Sequence, residues 1–333
     1  MATLAAPIVS AARAVSFAAS NDVNQYFSQT TSRHFLDWFN TNCEGRDAWV
    51  QKTVGASDAV KARFSQIWNQ IPVLFGAPSI NLVQFSALMS ILVNEVGAQL
   101  LPISELSGRP GHPGLAYTFD MIPSVKRSYN AGPLNKTAGE LFFNDDAFWE
   151  AHQLLPMADD VRRRPEFRSL WNGQSYPQTT FSSSLDHNVT GFIQEADFYK
   201  FRGRGFIQAT WRENYKRIVS FVQTYNGNDP TVLKYTSAWA GLDDDSVASQ
   251  STNADWDDLF QNSNLIVASA AVGIHNKSSG NYLLLASDPN TLGATTDSPG
   301  SFFRMGLRIS GGTAYATLFR SRVIQLLTTL NPD

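Results

Sequence analysis

Cysteine is nearly missing from this chain: Cys43 is the only one in 333 residues. A lone thiol excludes an intramolecular disulfide framework and a cysteine-built zinc cage. An excess of charge of one sign is missing too. The 26 Lys and Arg stand against 29 Asp and Glu, a net charge of −3, whereas general nucleic-acid affinity calls for a clear basic excess. No nucleic-acid partner is therefore expected. No apolar run approaches the roughly 18 residues that a membrane helix needs, so stable membrane insertion is not expected either. The opening "MATLAAPIVSAARAVSFAAS" lacks a basic lead and Arg13 interrupts its apolar stretch, so it is not read as a secretion signal. The histidines, His34, His112, His152, His187 and His275, are scattered with no pair at metal-ligand spacing. "LDDDS" and "DWDD" lack the turn glycine of an EF-hand and read as solvated acidic loops. No metal and no cofactor is implied.

What is present is an ordinary globular composition, 43% hydrophobic and 17% charged, in a length that permits one large domain or two modest ones. Strand signals are few and short, so the fold class is mainly α. Residues 10–72 are amphipathic and helical, clearest in "SRHFLDWFNTN" and "AVKARFSQIWNQI". "FGAPS" punctuates the chain before a strongly periodic segment, Asn81 to Gln99, in which Phe85, Leu88, Leu92 and Glu95 fall on one face. A carboxylate thus stands in line with an apolar stripe. Beyond it, "SGRPGHPG" and "WNGQSYPQTTFSSSLDHNVTG" are turn-rich, with a short helix around "AGELFFNDDAFWEAHQLL" between them. Later come an Ala-rich buried helix, "NLIVASAAVGIH", and a last helix from Tyr315 to Leu330 with Tyr315, Leu318, Phe319, Val323, Leu326, Leu327 and Leu330 on one side. The basic run Arg162 to Arg164 reads as a solvated face, and Ser182 to Ser184 as a loop.

The most unusual stretch is "YKFRGRGFIQATWRENYKR", Tyr199 to Arg217, where two glycines alternate with arginines before an apolar run. A dinucleotide loop would need a third glycine where Gln208 stands, and a preceding strand. An RNA-type Arg-Gly patch is a poor fit to a slightly acidic chain. A plainer reading remains: a glycine turn leading into a core helix that starts near Phe206, with its arginines in solvent.

The same stretch resembles the "Y-x-GRG-x-IQLTGRANY" block of glycoside hydrolase family 19, the chitinases and related phage endolysins with a lysozyme-like fold. Gly203, Arg204, Gly205, Ile207, Gln208, Thr210, Arg212, Asn214 and Tyr215 match in unbroken register. Two further blocks occur in the family's order. "LMSILVNEVGAQ" resembles the helix carrying "AQ-x-x-HES-GG", and "GLRISGGTAYATLFRSRVIQLL" resembles "TRRINGG-x-NGLA-x-R". The resemblance spans roughly Phe85 to Leu330. It implies an N-terminal helical extension, 1–75, and a lysozyme-like hydrolase domain, 76–333, with an enlarged middle at about 107–198. Four positions depart from the family pattern: Asn94 for its His, Val96 for its Ser or Thr, Trp211 for a glycine, and Ser310 for an asparagine.

By this resemblance Glu95 is the catalytic acid, and a carboxyl on an apolar stripe is desolvated, which favours its neutral, proton-donating form. The plain alternative is a helix-end carboxylate paired with Arg204. Hydrolysis of a glycoside needs a second group to activate water; Glu105, ten residues on, is the first candidate, ahead of Glu140, Asp120 and Asp197. Arg204, Gln208, Thr210, Asn214, Tyr215 and Ser310 are the expected substrate contacts. The implied substrate is peptidoglycan or a chitin-like polysaccharide, cleaved at β-1,4 linkages by an inverting mechanism without a cofactor. The implied setting is a phage virion, with other virion proteins as partners, or a host cytoplasm from which the enzyme reaches the cell wall. A non-catalytic glycan-binding or structural relative, and a chitinase, are the alternatives.

Overall fold

The computed structural model describes residues 6–50, 54–104, 201–210, 212–287, 301–310 and 312–330. These are mainly helical, as the pattern implies, with strands of only two residues each. The chain divides into two compact units. Unit 1 comprises Met1–Ile103, Gly205–Ile207 and Asn264–Asp333, and unit 2 comprises Ser104–Arg204 and Gln208–Ser263. The division expected at 75/76 therefore lies inside unit 1.

Unit 1 is built around α6 (Leu82–Val96), whose residues Leu82 to Val93 are all buried. A helix apolar on every side belongs in the middle of a core rather than on its surface. The two serines that interrupt it are satisfied internally: Ser86 Oγ donates to Leu82 O (2.7 Å) and Ser90 Oγ to Ser86 O (2.8 Å). Asn81 fixes the start through a reciprocal cap. Its Oδ1 accepts from Gln84 N (3.0 Å) while Gln84 Oε1 accepts from Asn81 N (2.8 Å).

The first 75 residues join this core. They form α1 (Ala6–Ala14), α2 (Ser20–Thr31), α3 (Phe35–Asn42), α4 (Asp58–Trp68) and α5 (Ile71–Phe75), with a 3-10 turn at Asp47–Trp49. Phe85 of α6 sits among their rings, 4.8 Å from Phe35 and 4.4 Å from Trp68 by centroid, with Phe17, Phe27 and Phe64 behind. Edge-to-face and tilted packing of this kind adds to simple area burial. A strand pair, β1 (Ser16–Phe17) with β2 (Ile80–Asn81), ties the start of the chain antiparallel to the entry of α6. The N-terminal helices and α6 thus share one aromatic core within unit 1.

The C-terminal part of unit 1 supplies α11 (Ile266–Ser278), α12 (Ser301–Ser310) and α13 (Thr313–Leu330). α13 buries most of the expected face, Phe319, Val323, Leu326, Leu327 and Leu330, and packs on both α12 and α6, but Leu318 is exposed and Tyr315 half-buried. It also buries Arg320 and Arg322, which an apolar-face reading does not anticipate.

Unit 2 holds α7 (Arg212–Gln223), α8 (Pro230–Ala238), α9 (Asp244–Gln250) and α10 (Asn253–Asn262) around Phe201, Tyr215, Trp239, Trp256 and Phe260. Its acidic stretches are structural. Asp243 caps α9, accepting from Ser246 N (2.7 Å), and "DWDD" lies within α10 rather than in a loop. Two further two-residue strands, β3 (Ile103–Ser104) and β4 (Arg204–Gly205), pair with each other.

Candidate functional site

Glu95 stands in the last turn of α6. The stripe that leads to it is sealed, with Phe85, Leu88 and Leu92 at 0% exposure, but burial ends at Val93 and Glu95 itself is half-buried. Its two hydrogen bonds among the described residues fall on one oxygen. Asn94 Nδ2 donates to Glu95 Oε1 at 2.9 Å and the Tyr315 hydroxyl donates to the same atom at 3.2 Å. Among the described residues no salt bridge forms on Glu95, and its second oxygen, Oε2, has no hydrogen-bond partner.

Each donor is itself held. Asn94 Oδ1 accepts from Arg322 Nη1 at 2.6 Å, and Arg322 Nε donates to Ala48 O at 3.0 Å. The Arg322 guanidinium lies over the Trp49 ring, 5.3 Å from its centroid, in a residue 3% exposed. Tyr315 stacks on Phe319 one turn along α13, at 6.3 Å and 6°. Burial, reinforced by the neighbouring Glu95 carboxyl, pushes the Tyr315 phenol well above its ordinary range, against the pull of Arg322. It remains a protonated donor throughout the working range of pH. Three elements thus converge on one carboxyl: the end of α6, the 3-10 turn at Asp47–Trp49, and α13.

The glycine-arginine stretch has a different character. Arg204 and Ala209 form an antiparallel bridge, with Arg204 N donating to Ala209 O (3.1 Å) and Ala209 N to Arg204 O (2.8 Å). Gly205 through Gln208 make the tight turn between them, with left-handed φ of 82° at Gly205 and 51° at Gln208. Glycine adopts that conformation freely. The helix begins at Arg212, not near Phe206; a run that reads as helical by apolarity is consumed by this hairpin.

The arginines are not in solvent. Arg202 and Arg204 are 3% and 0% exposed, and both bind Asp257 of α10. Arg204 Nε donates to Oδ1 at 2.8 Å, while Arg202 Nη2 reaches Oδ1 and Oδ2 at 3.1 and 3.0 Å. Ser104 Oγ adds a bond to Oδ1 at 3.1 Å. Tyr215 completes the node, accepting from Arg204 Nη1 (2.8 Å) and donating to Arg202 O (2.6 Å). Burial alone would raise the Asp257 carboxyl. The charges of Arg204 and Arg202, with bonds from Arg204 and Ser104, outweigh it and hold the group below its ordinary 3.8.

Of the expected substrate contacts, Arg204 and Tyr215 therefore come together inside unit 2, engaged with each other and with Asp257. Gln208 and Thr210 are half-buried on or beside the turn. Asn214 Nδ2 donates to Thr210 O (2.7 Å) and its Oδ1 accepts from Arg217 (3.3 Å), so its amide braces the first turn of α7. Ser310 closes α12. Glu105, Glu140, Asp120 and Asp197, with most of the enlarged middle, lie outside the described residues.

Four participants carry no distinct signal in the sequence. Asn94 stands out only as a departure from a motif and Tyr315 only as part of an apolar face. Asp257 reads as part of a solvated acidic loop. The available signal for Arg322 was a pair of arginines, with Arg320, on an otherwise apolar helix face.

No family model, no curated protein and no solved structure matches this chain. Among the described residues no helix is long and apolar enough to cross a membrane.

Proposed function

We propose that the chain is a glycoside hydrolase acting on β-1,4 linkages in an amino-sugar polymer, with Glu95 as the general acid and an inverting course. The observation that carries this reading is the state of the Glu95 carboxyl. Among the described residues, one oxygen is pinned by two donors and the other has neither a hydrogen-bond partner nor an ion pair. A carboxylate serving only to tie a helix end down is expected to be paired. Arg204, the partner the plain alternative called for, is bound to Asp257. The register of the "GRG-x-IQ-x-T" block supports the same family of reactions. Peptidoglycan is favoured over chitin because the resemblance is nearest to phage-type lysins and because the chain has a single cysteine. The setting would then be a virion or a host cytoplasm with delivery to the wall. Glu105 is the proposed water-activating group.

One observation favours a second reading, a non-catalytic glycan-binding or structural protein. Arg204 and Tyr215 are wholly engaged in the interior of unit 2, so packing alone accounts for part of the block's register.

Zymography on purified peptidoglycan, with chitin as comparison, separates the two. For an enzyme, Glu95→Gln keeps the shape and removes the transferable proton, so lysis falls by about 10²–10⁴-fold while the thermal midpoint holds. Undiminished activity in a folded Glu95→Gln protein means the wrong acid has been named. A wild-type chain that binds sacculi and never cleaves them leaves the second reading.

A further inference from the structure

We infer that Tyr315 and Asn94, the latter clamped by Arg322, are positioning residues that restrict the Glu95 proton to Oε2 and aim it from there. This rests on the reading of Glu95 as the acid. Oε1 has two lone pairs, and both are taken, by Asn94 Nδ2–H at 2.9 Å and Tyr315 O–H at 3.2 Å. A proton on Oε1 would displace one of these donors, whereas Oε2 has no partner among the described residues to displace. Neither donor can readily turn into an acceptor. Asn94 is oriented by Arg322, which takes its Oδ1 at 2.6 Å and leaves the NH₂ group facing Glu95. Arg322 cannot swing away, because Ala48 O holds its Nε and the Trp49 ring lies beneath it. Tyr315 keeps its proton, and its ring is braced on Phe319.

The chemical step follows. The O–H bond at Oε2 breaks as its proton passes to the glycosidic oxygen. The C1–O bond breaks, and its electron pair stays on that oxygen. Water bonds to C1 from the opposite face and loses a proton to the second carboxylate or to solvent, and Glu95 is left as a carboxylate until it is reprotonated. A carboxyl free to rotate would present either oxygen. The clamp removes that freedom, and loose positioning of a reacting group by as little as 1 Å can cost about 10²-fold.

Tyr315→Phe tests this, since it keeps the ring and its stack and removes only the hydroxyl. Two readouts are taken, turnover on soluble uncrosslinked glycan strands and the Glu95 side-chain carbon resonance in protein labelled with [5-¹³C]glutamate. The chain has eight glutamates, so Glu95→Gln assigns the signal directly. The expected result is a roughly ten- to hundredfold loss in kcat with KM within about twofold, together with a displaced Glu95 resonance. An Arg322→Lys chain, which keeps the charge and loses the fork, is expected to show the same split less strongly. An active wild type whose Tyr315→Phe form has unchanged kcat, or an unmoved Glu95 resonance, overturns the clamp alone. A wild type inactive on every glycan, with the resonance still displaced in Tyr315→Phe, overturns the catalytic reading instead.

Discussion

Arg202 and Arg204 show how little a residue's type says about its surroundings. Two cations separated by a glycine read as solvent-facing, yet both are interior, and one carboxylate, Asp257, answers them. Nothing local marks Asp257 as that partner. It sits more than fifty positions away in "DWDD", where nothing in the string distinguishes it from the other two aspartates. The pairing is set by how α10 packs, which no window of sequence contains. Removing it leaves two buried guanidinium groups uncompensated, so Asp257→Asn is expected to lower stability by about 3–5 kcal/mol in urea denaturation. The pH dependence has a definite sign. Because the folded carboxyl titrates below its ordinary 3.8, its contribution is fully present above that value and is lost as pH falls through the lower, folded value. Wild type should therefore lose stability steeply below about pH 4, and Asp257→Asn should show a flatter acid limb over the same range.

At the scale of elements, legibility followed the strength of the local signal. α6 was readable because a cap, Asn81 with Gln84, stands at its start and an unbroken apolar run follows. α13 was readable from its periodic face. The sequence pattern starts α7 six residues early because "GFIQA" is apolar enough for a helix, and only backbone geometry, left-handed at Gly205 and Gln208, makes it a turn. Which small residues matter for packing was also invisible. In α11, a Cβ placed on Gly273 would overlap Val73 O and lie 3.2 Å from Val73 C, both backbone atoms of α5. These cannot step aside as a flexible side chain could. Gly273→Ala, a favourable change by helix propensity alone, is expected instead to cost about 1–3 kcal/mol or more. Calorimetry showing a raised midpoint would contradict the close approach of α5 and α11.

For the molecule as a whole, the mainly helical class was legible from composition and period, and the partition was not. A break at 75/76 follows from where a motif resemblance begins, whereas cores are decided by which rings meet, and Phe85, beyond that break, packs on Phe17, Phe35 and Trp68 before it. Cys43 offers a probe of this unit's integrity. It is fully buried at the end of α3, and burial pushes its thiol up to about 12, with Arg46 opposing only in part. Thiolate is the reactive form, so an aromatic disulfide reagent at pH 8 should find essentially no thiol in the native protein and one per chain in denaturant. Rapid native labelling would mean that the aromatic core of unit 1 opens easily.

The residues that hold Glu95 are far from it along the chain: Tyr315 lies 220 positions downstream, and Arg322 lies 228 beyond Asn94. At a ribosome adding about 5–20 residues per second, roughly 10 to 45 seconds separate the appearance of the carboxyl from that of its tyrosine. For that interval the nascent protein carries the Glu95 carboxyl without the distant groups that fix its surroundings. A chain cut short at any point before α13 therefore carries Glu95 without the tyrosine and the arginine that hold it in the finished protein.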